Sequence, residues 1–260
     1  MGNKEFYRLA RAYDIAFSTR DFEEESDFLL WCLQTFGSAK GKKFLELACG
    51  PANHARVFAK RGWKTFALDL SEDMITYAKQ KDAVEGVAIT YLVADMVEYR
   101  LPERVSLVVN PMESISHIIT NEGMLLHLQN VSESLTKGGI YVIEGTHPRY
   151  FMPDEEPNRW TEYDGETEVE VLFGLPEDEY DPIGQYWMVT TEISMTEPGK
   201  KKLSAKSKHT HRWYLKQEMD TLIRLSKAFS EWHFFGNAAI PPHPLDNSDQ
   251  ADAMIIVLKK

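Results

Sequence analysis

A stretch rich in small residues, at positions 44–54, holds the first residues whose types and spacing could support chemistry. Its sequence, Phe-Leu-Glu-Leu-Ala-Cys-Gly-Pro-Ala-Asn-His, predicts a buried strand, a tight turn and the start of a helix. A small residue such as Gly50 lets the backbone approach a ligand closely, and the first N–H groups of a helix are free to bind it. Asp69 lies nineteen residues after Gly50, at the end of the next apolar segment. A carboxylate at that place can accept both hydroxyls of a ribose, so the pattern predicts a nucleotide site.

Three motifs in this order resemble those of the class I S-adenosylmethionine-dependent methyltransferases. They are Glu46-Leu47-Ala48-Cys49-Gly50, Ala67-Leu68-Asp69-Leu70-Ser71 and Val93-Ala94-Asp95-Met96. In that family the first motif meets the methionine end of the cofactor, the second carboxylate holds the ribose and the third aspartate faces the adenine amino group. The resemblance implies that S-adenosylmethionine is the cofactor and S-adenosylhomocysteine the product. This sequence departs from the family at Ala48 and Ala52, where glycine is commoner.

The resemblance also implies roles for residues outside the three motifs. Tyr13 would touch the cofactor, and Arg20 would pair with its methionine carboxylate, a bidentate task that suits a guanidinium. Each of three roles has an alternative explanation. Arg20 could instead lie in solvent, Met74 could pack in the core, and Asp95 could cap a loop. The implied cofactor-binding set is Tyr13, Arg20, Glu46, Ala48, Gly50, Asp69, Leu70, Met74, Asp95, Met96 and Asn110.

Candidate residues for the methyl acceptor follow the later predicted strands. Ligands of open α/β sheets bind outside the carboxyl ends of the strands, so the loop after Val105–Val109 should face the transferred group. His117 in that loop could orient or deprotonate a substrate, or could cap the next turn. The catalytic candidates are His117, His147, His209 and His211, and the substrate-binding candidates are Glu113, Arg149, Tyr150 and Trp213. A metal site would need a third ligand such as His147 or His243, and the spacing predicts none.

The elements that must position these residues alternate between strand and helix. From Lys43 to Glu144 this alternation predicts a parallel sheet with helices on both faces. The predicted fold is α/β, a Rossmann-like methyltransferase sheet with helices on both faces and an inserted antiparallel β-sheet lid. The predicted segments are a helical cap at 1–40 with helices over 5–17 and 22–36, a core at 41–150, the insertion at 151–216, and a final helix with two strands at 217–260.

The predicted insertion has an uneven distribution of charge. Between Phe151 and Lys200 there are fourteen acidic and two basic residues, whereas Lys201–Lys216 carries six basic residues and no acidic one. Such a pattern predicts acidic strands paired with a basic strand across an antiparallel sheet. In the basic strand, alternation places His209, His211 and Trp213 on the apolar face.

Composition excludes several classes of protein. The formal net charge of −11 argues against a nucleic-acid partner, which needs a basic face. No run of about eighteen apolar residues predicts a membrane span, and the N-terminal residues do not resemble a signal peptide. With only Cys32 and Cys49, a disulfide framework is not expected, so a reduced cytoplasmic protein, monomeric or homodimeric, is the expectation.

The leading functional hypothesis is a methyltransferase acting on a small molecule, with nitrogen as the acceptor atom. That choice follows a looser resemblance, in segment order and in Thr146-His147-Pro148-Arg149-Tyr150, to the glycine N-methyltransferases and the amino-sugar N-methyltransferases. The alternatives are an O-methyltransferase of a small hydroxylated metabolite and a non-catalytic S-adenosylmethionine sensor or partner subunit. A nicotinamide oxidoreductase is disfavoured because the loop lacks the G-x-G-x-x-G pattern.

Overall fold

The computed structural model describes residues 9–150 and 156–260. Residues 1–8 of the expected cap and 151–155 of the expected insertion lie outside the described residues. The helices are α1 (Ala10–Ala16), α2 (Phe22–Phe36), α3 (Asn53–Lys60), α4 (Glu72–Glu85), α5 (Asn121–Ser134) and α6 (Lys216–Ser226), with short 3₁₀ turns at Ser114–His117 and Pro148–Tyr150. The strands are β1 (Lys43–Leu47), β2 (Lys64–Asp69), β3 (Ile89–Val93), β4 (Val105–Asn110), β5 (Leu135–Thr146), β6 (Asn158–Asp164), β7 (Thr167–Phe173), β8 (Tyr180–Asp181), β9 (Tyr186–Thr196), β10 (Leu203–Arg212), β11 (Glu231–Phe235) and β12 (Ala253–Lys259).

The main sheet has seven strands in the order β11-β12-β5-β4-β1-β2-β3. Strand β12 pairs antiparallel with both of its neighbours, and the remaining pairs are parallel. The strands β1, β2 and β4 are almost entirely buried because helices cover both faces of the sheet. The strand order reverses between β1 and β4, and ligands of such sheets bind at this switch point. We call the edge where the parallel strands end the carboxyl edge.

Side-chain caps fix where the helices next to the carboxyl edge begin. Asp21 accepts hydrogen bonds from two N–H groups at the start of α2, and Ser71 accepts one from Met74 at the start of α4. Serine is a preferred residue at this position because its hydroxyl satisfies a free N–H of the first helical turn. Thr120 caps α5 in the same way. The last residues of β2 and β4 are thereby followed by well-defined turns at the carboxyl edge.

A second, antiparallel sheet in the order β10-β9-β7-β6, with β8 beside β9, forms the insertion. We call this sheet the lid. Its outer face pairs opposite charges across strands, as predicted: Lys206 lies 2.5 Å from Glu192, and Lys202 lies 2.6 Å from Glu170. Its inner face is apolar, and the buried residues of β9 are Trp187, Val189, Thr190, Thr191, Ile193 and Met195.

Helix α1 lies between the lid and the core. Its apolar residues pack with Val169, Val171 and Ile193 of the lid, and the Trp160 indole N–H donates to the Ala16 carbonyl at 2.9 Å. On the other side, the Asp14 carboxylate of α1 binds residues of α3 and α4. Over the described ranges, no helix is long and apolar enough to cross a membrane.

Candidate functional site

The loop after β1 and the end of β2 meet at the carboxyl edge. The Asp69 carboxylate accepts a hydrogen bond from the Gly50 N–H at 2.7 Å and another from the Ser71 N–H at 2.8 Å. Burial raises the pKa of Asp69, while these backbone donors oppose the rise. Each carboxylate oxygen keeps a second lone pair, so Asp69 is suited to accept hydroxyl groups from a bound ribose.

The loop adopts a left-handed backbone at three positions. Ala48, Gly50 and Ala52 have φ values of 48°, 48° and 61°. Glycine adopts this region without strain. This explains why glycine is commoner at positions 48 and 52 in the family that the motifs resemble. At Gly50, an added Cβ would lie 3.6 Å from the Tyr13 ring. The alanines therefore preserve the tight turn at the cost of some backbone strain.

Glu46 supports the start of α3 with both of its oxygens. It is 1% exposed and accepts from the Ala55 N–H at 2.8 Å, while its other oxygen lies 3.1 Å from Nδ1 of His54. The second nitrogen of His54 lies 2.8 Å from Glu25 of α2. Burial opposes protonation of His54, but the two carboxylates outweigh it and raise its pKa to about 9. The three side chains hold α2, α3 and β1 together beside the loop.

Arg20 binds protein carboxylates at the place where the cofactor carboxylate was expected. Its guanidinium makes a bidentate pair with Glu144 at 3.0 and 2.9 Å, and its Nε lies 2.9 Å from Glu25. Burial opposes the charge of Arg20, but the two glutamates raise its pKa overall. Glu144 also accepts from the Met112 N–H at 2.7 Å. The implied pairing with a cofactor carboxylate is thus replaced here by an internal ion-pair network.

Helix α1 closes one side of a small cleft above the loop. Asp14 anchors this helix by accepting from Asn53 at 3.0 Å, Tyr77 at 2.9 Å and Lys81 at 2.7 Å. The cleft is lined by α1, the loop after β1 and the loop after β4, and its lining includes Tyr13, Phe17, Phe22, Glu46, Ala48, Gly50, Met112 and Ser114. Several residues of the implied cofactor set therefore share one cavity.

The opposite side of the loop exposes apolar surface beside β2 and β3. Leu70 directly follows the buried strand β2 and is 71% exposed, and Val93, the last residue of the edge strand β3, is 51% exposed. Asp95 is exposed and accepts from the Val97 N–H at 2.8 Å, the loop-capping geometry named as its alternative. These residues form an apolar surface with one carboxylate, as a base-binding surface requires.

Two methionines and one asparagine of the implied set are buried. Met74 is 1% exposed and Met96 is 8% exposed, so neither offers side-chain surface to a ligand, and the expected direct contact of Met74 is corrected to a place in the core. Asn110 is fully buried at the end of β4 and donates to the Met96 sulfur at 3.5 Å. Its Oδ1 has no hydrogen-bond partner among the described residues. Asn110 is thus an acceptor at the carboxyl edge with unused capacity.

The loop after β4 also reaches a second small cavity, which lies between β5, β12, the start of α6 and the end of β10. Glu113 and Trp213, two substrate-binding candidates, line it together with Ser116 and Thr146. Glu113 has φ 56° and directly precedes the 3₁₀ turn that ends at His117, so the four-residue spacing of Glu113 and His117 does not place them on one helical face.

Three of the four catalytic histidine candidates, one from the loop after β4 and two from the lid, come together. His209 and His211 extend from the same face of β10, and their Nε2 atoms lie 3.0 Å apart. The His117 ring lies 5.5 Å from that of His209 and 4.6 Å from that of His211. Burial lowers the pKa of His117 to about 4, and burial followed by the neighbouring His117 does the same for His209. Near neutral pH these side chains are uncharged.

His147 and its neighbours occupy a different part of the structure. The His147 Nε2 binds the Asp246 carbonyl at 2.9 Å, and its Nδ1 accepts from the Arg149 N–H at 3.0 Å. Arg149 donates to the Ser248 carbonyl, and Tyr150 is 48% exposed. Because both His147 nitrogens are occupied, its predicted catalytic role is corrected to an anchor for the loop before β12.

Sequence patterns did not predict a role in the site for Glu144, Asp14 or His54. Glu144 could have been found by the rule that singled out Asp69, because it lies near the end of β5 at the same carboxyl edge. Asp14 and His54 carry no comparable sequence signal, since their partners are distant in sequence.

Comparison with known proteins agrees with this geometry. Residues 44–139 match the family model described as a methyltransferase domain. The chain is 27% identical over 168 residues to dTDP-3-amino-3,4,6-trideoxy-alpha-D-glucopyranose N,N-dimethyltransferase of Streptomyces venezuelae, and the match covers 62% of this chain and 64% of that protein. The chain thus spans a little under two thirds of that relative's length.

Solved structures share the fold over nearly the whole chain. An S-adenosylmethionine-dependent methyltransferase of Clostridium acetobutylicum superposes with a TM-score of 0.75 at 17% identity, covering 98% of both chains. Streptomyces venezuelae DesVI gives a TM-score of 0.76 at 21% identity, covering 96% of this chain and 97% of that one. The architecture and the matched segment together define a class I methyltransferase fold. Within this fold, residues 44–139 are the segment that matches the model of a methyltransferase domain.

Proposed function

We propose that this chain transfers a methyl group from S-adenosylmethionine to a nitrogen atom of a small molecule. The observation that carries the proposal is the contact between Asp69 and the Gly50 N–H at the carboxyl edge of the sheet. This contact joins the ends of β1 and β2 into one ribose-binding edge. The named activity of the Streptomyces venezuelae relative, an N,N-dimethyltransferase, supports nitrogen as the acceptor atom.

The residues along the carboxyl edge of the sheet fit this cofactor. Asp69 would accept the ribose hydroxyls, Leu70 and Val93 would pack on the adenine, and Asp95 would accept from its amino group. The unpartnered Oδ1 of buried Asn110 gives a further acceptor where β4 ends. Arg20 would take the methionine carboxylate only by releasing one oxygen of Glu144, so we propose that cofactor binding loosens that pair.

Methyl transfer from a sulfonium is an in-line displacement, and the cofactor supplies the electrophilic carbon when bound. The protein must align the acceptor and exclude water. The lid and α1 exclude water, since α1 lies between the lid and the cleft. With pKa values near 4, His117 and His209 are too weakly basic to deprotonate an ammonium group, so we propose that the acceptor amine binds in its neutral form and attacks without a strong base.

The first experiment is calorimetric titration with S-adenosylmethionine. We expect micromolar binding, no signal with NADH, and a loss of at least about tenfold in affinity for Asp69→Asn, because a lost charged hydrogen bond costs about 1.5–3 kcal/mol. The matched control is Asp73→Asn, which removes the same charge from an exposed position on the first turn of α4. Equal affinity of Asp69→Asn and wild type would contradict the proposed cofactor site.

The acceptor is then identified by S-adenosylhomocysteine formation across matched amines and alcohols. Turnover with amines alone supports nitrogen as the acceptor atom, and turnover with alcohols alone contradicts it. No turnover despite cofactor binding contradicts the enzyme and favours a sensor. We also propose that the protein is cytoplasmic and is a monomer or a homodimer. Size-exclusion chromatography tests the oligomeric state.

A further inference from the structure

Three histidines from two distant parts of the chain form one cluster beneath the lid. His209 and His211 alternate along β10 and therefore face the same side, and His117 ends the 3₁₀ turn after β4. One ring nitrogen from each side chain lies within 4.8 Å of the other two. No metal site was predicted from the sequence, in which His147 and His243 were only examples of a third ligand; the structure instead brings His117 beside the two β10 histidines.

The cluster has donor atoms suited to a transition metal. Each of the three side chains is an imidazole, which in its neutral form offers one ring nitrogen lone pair to a metal ion. Imidazole nitrogens suit zinc, copper and nickel, whereas calcium and magnesium take oxygen ligands.

The spacing of the nitrogens is close to that of a metal-bound set. In a tetrahedral site with Zn–N bonds of about 2.0–2.1 Å, two ligand nitrogens are roughly 3.3 Å apart. The His209 and His211 nitrogens are already 3.0 Å apart, and the full set spans at most 4.8 Å. Small side-chain rotations would therefore bring all three nitrogens to one ion.

An outer contact orients one of the rings. The Ser207 hydroxyl lies 3.4 Å from Nδ1 of His209, and Thr191 lies 2.9 Å from the same hydroxyl. A partner on the far nitrogen is typical of metal-bound histidine, because it fixes which nitrogen faces the ion. Here it directs Nε2 of His209 toward His211.

We propose that His117, His209 and His211 bind one divalent transition-metal ion, with zinc as the best fit. Three histidines leave the fourth tetrahedral position open for water or an exogenous oxygen. The His117 loop also lines the cleft through Met112 and Ser114. This assignment rests on the proposed function: the open coordination position takes a hydroxyl of the methyl acceptor. The attacking nitrogen cannot occupy it, because coordination to the metal would use the lone pair that the nitrogen needs for attack.

The test uses metal-free, untagged full-length protein titrated with Zn²⁺ and, separately, with Co²⁺. We expect one equivalent of Zn²⁺ per chain, visible absorption typical of tetrahedral Co²⁺, and no uptake of Mg²⁺. His117→Ala, His209→Ala and His211→Ala should each weaken Zn²⁺ binding more than about tenfold, the lower limit for losing even an outer-shell partner. The control His233→Ala removes an exposed histidine of β11 and should bind like wild type.

Two further measurements separate metal binding from other effects. Circular dichroism and S-adenosylmethionine titration on the same samples show whether each variant is folded and whether the cofactor site is intact. If an alanine variant is unfolded, the proposal is tested by the Co²⁺ spectrum of the wild type and by metal binding to the conservative His209→Gln variant. Less than one equivalent of metal in the wild type, or equal affinity in wild type and folded cluster variants, would overturn the proposal. Cofactor binding without metal binding would contradict the metal site alone.

Discussion

The buried pair of contacts around His54 makes the stability of the protein depend on pH. Its side chain is 3% exposed and bridges Glu46 and Glu25, which raise its pKa from 6.5 to about 9 against the opposing effect of burial. Because the folded state binds the proton more tightly than the unfolded state, the stabilisation is fully present below about pH 6.5 and is lost as the pH rises through about 9.

The two pKa values determine the size of this effect. Their difference corresponds to at most about 3 kcal/mol at low pH, of which about 2 kcal/mol disappears between about pH 7 and about pH 8.5. The buried His117, His127 and His209 behave oppositely: their lowered pKa values of about 4 cost stability as the pH falls below about 6.5. A window above pH 7 and a comparison with a His54 variant therefore isolate the contribution of His54.

The measurement is urea unfolding, followed by tryptophan fluorescence across this pH window, for wild type and His54→Gln. We expect the difference in unfolding free energy between the two proteins to shrink by about 2 kcal/mol as the pH rises from about 7 to about 8.5. The control His233→Gln replaces an exposed histidine and should show no such change. A difference between wild type and His54→Gln that is constant or grows with pH would refute the assigned protonation of His54.

Three further perturbations test the loop, the ion-pair network and the lid. Ala48→Gly should raise the free energy of unfolding by up to about 1 kcal/mol in urea denaturation, because glycine relieves the left-handed strain at φ 48°; a loss of stability would contradict this reasoning. Glu144→Gln should lower it by about 2 kcal/mol in thermal unfolding, because Arg20 loses its bidentate partner, and an unchanged midpoint would count against the network. Trp160→Phe removes one hydrogen bond between the lid and α1, which is worth about 1 kcal/mol. Amide hydrogen exchange in β6 should therefore accelerate, and unchanged exchange would show that this bond does not hold the lid.

Much of the fold follows from local pattern. The predicted helix 22–36 has the bounds that the structure shows, and the opposite charges across the lid are confirmed. Apolar periodicity and capping residues act within a few positions of the chain, so a single sequence suffices to place them. The first 3₁₀ turn was not predicted as such, since two positive φ values at Met112 and Glu113 leave little periodic signal.

The sequence by itself determined the order of strands and helices, the position of Asp69 nineteen residues after Gly50, and the shared face of His209 and His211. Only the tertiary structure decided which charges and rings meet. Arg20 reaches Glu144 across 124 positions, and His117 joins the β10 histidines only when the lid packs against the loop after β4. Such contacts depend on how separate elements pack, a property that no local spacing encodes.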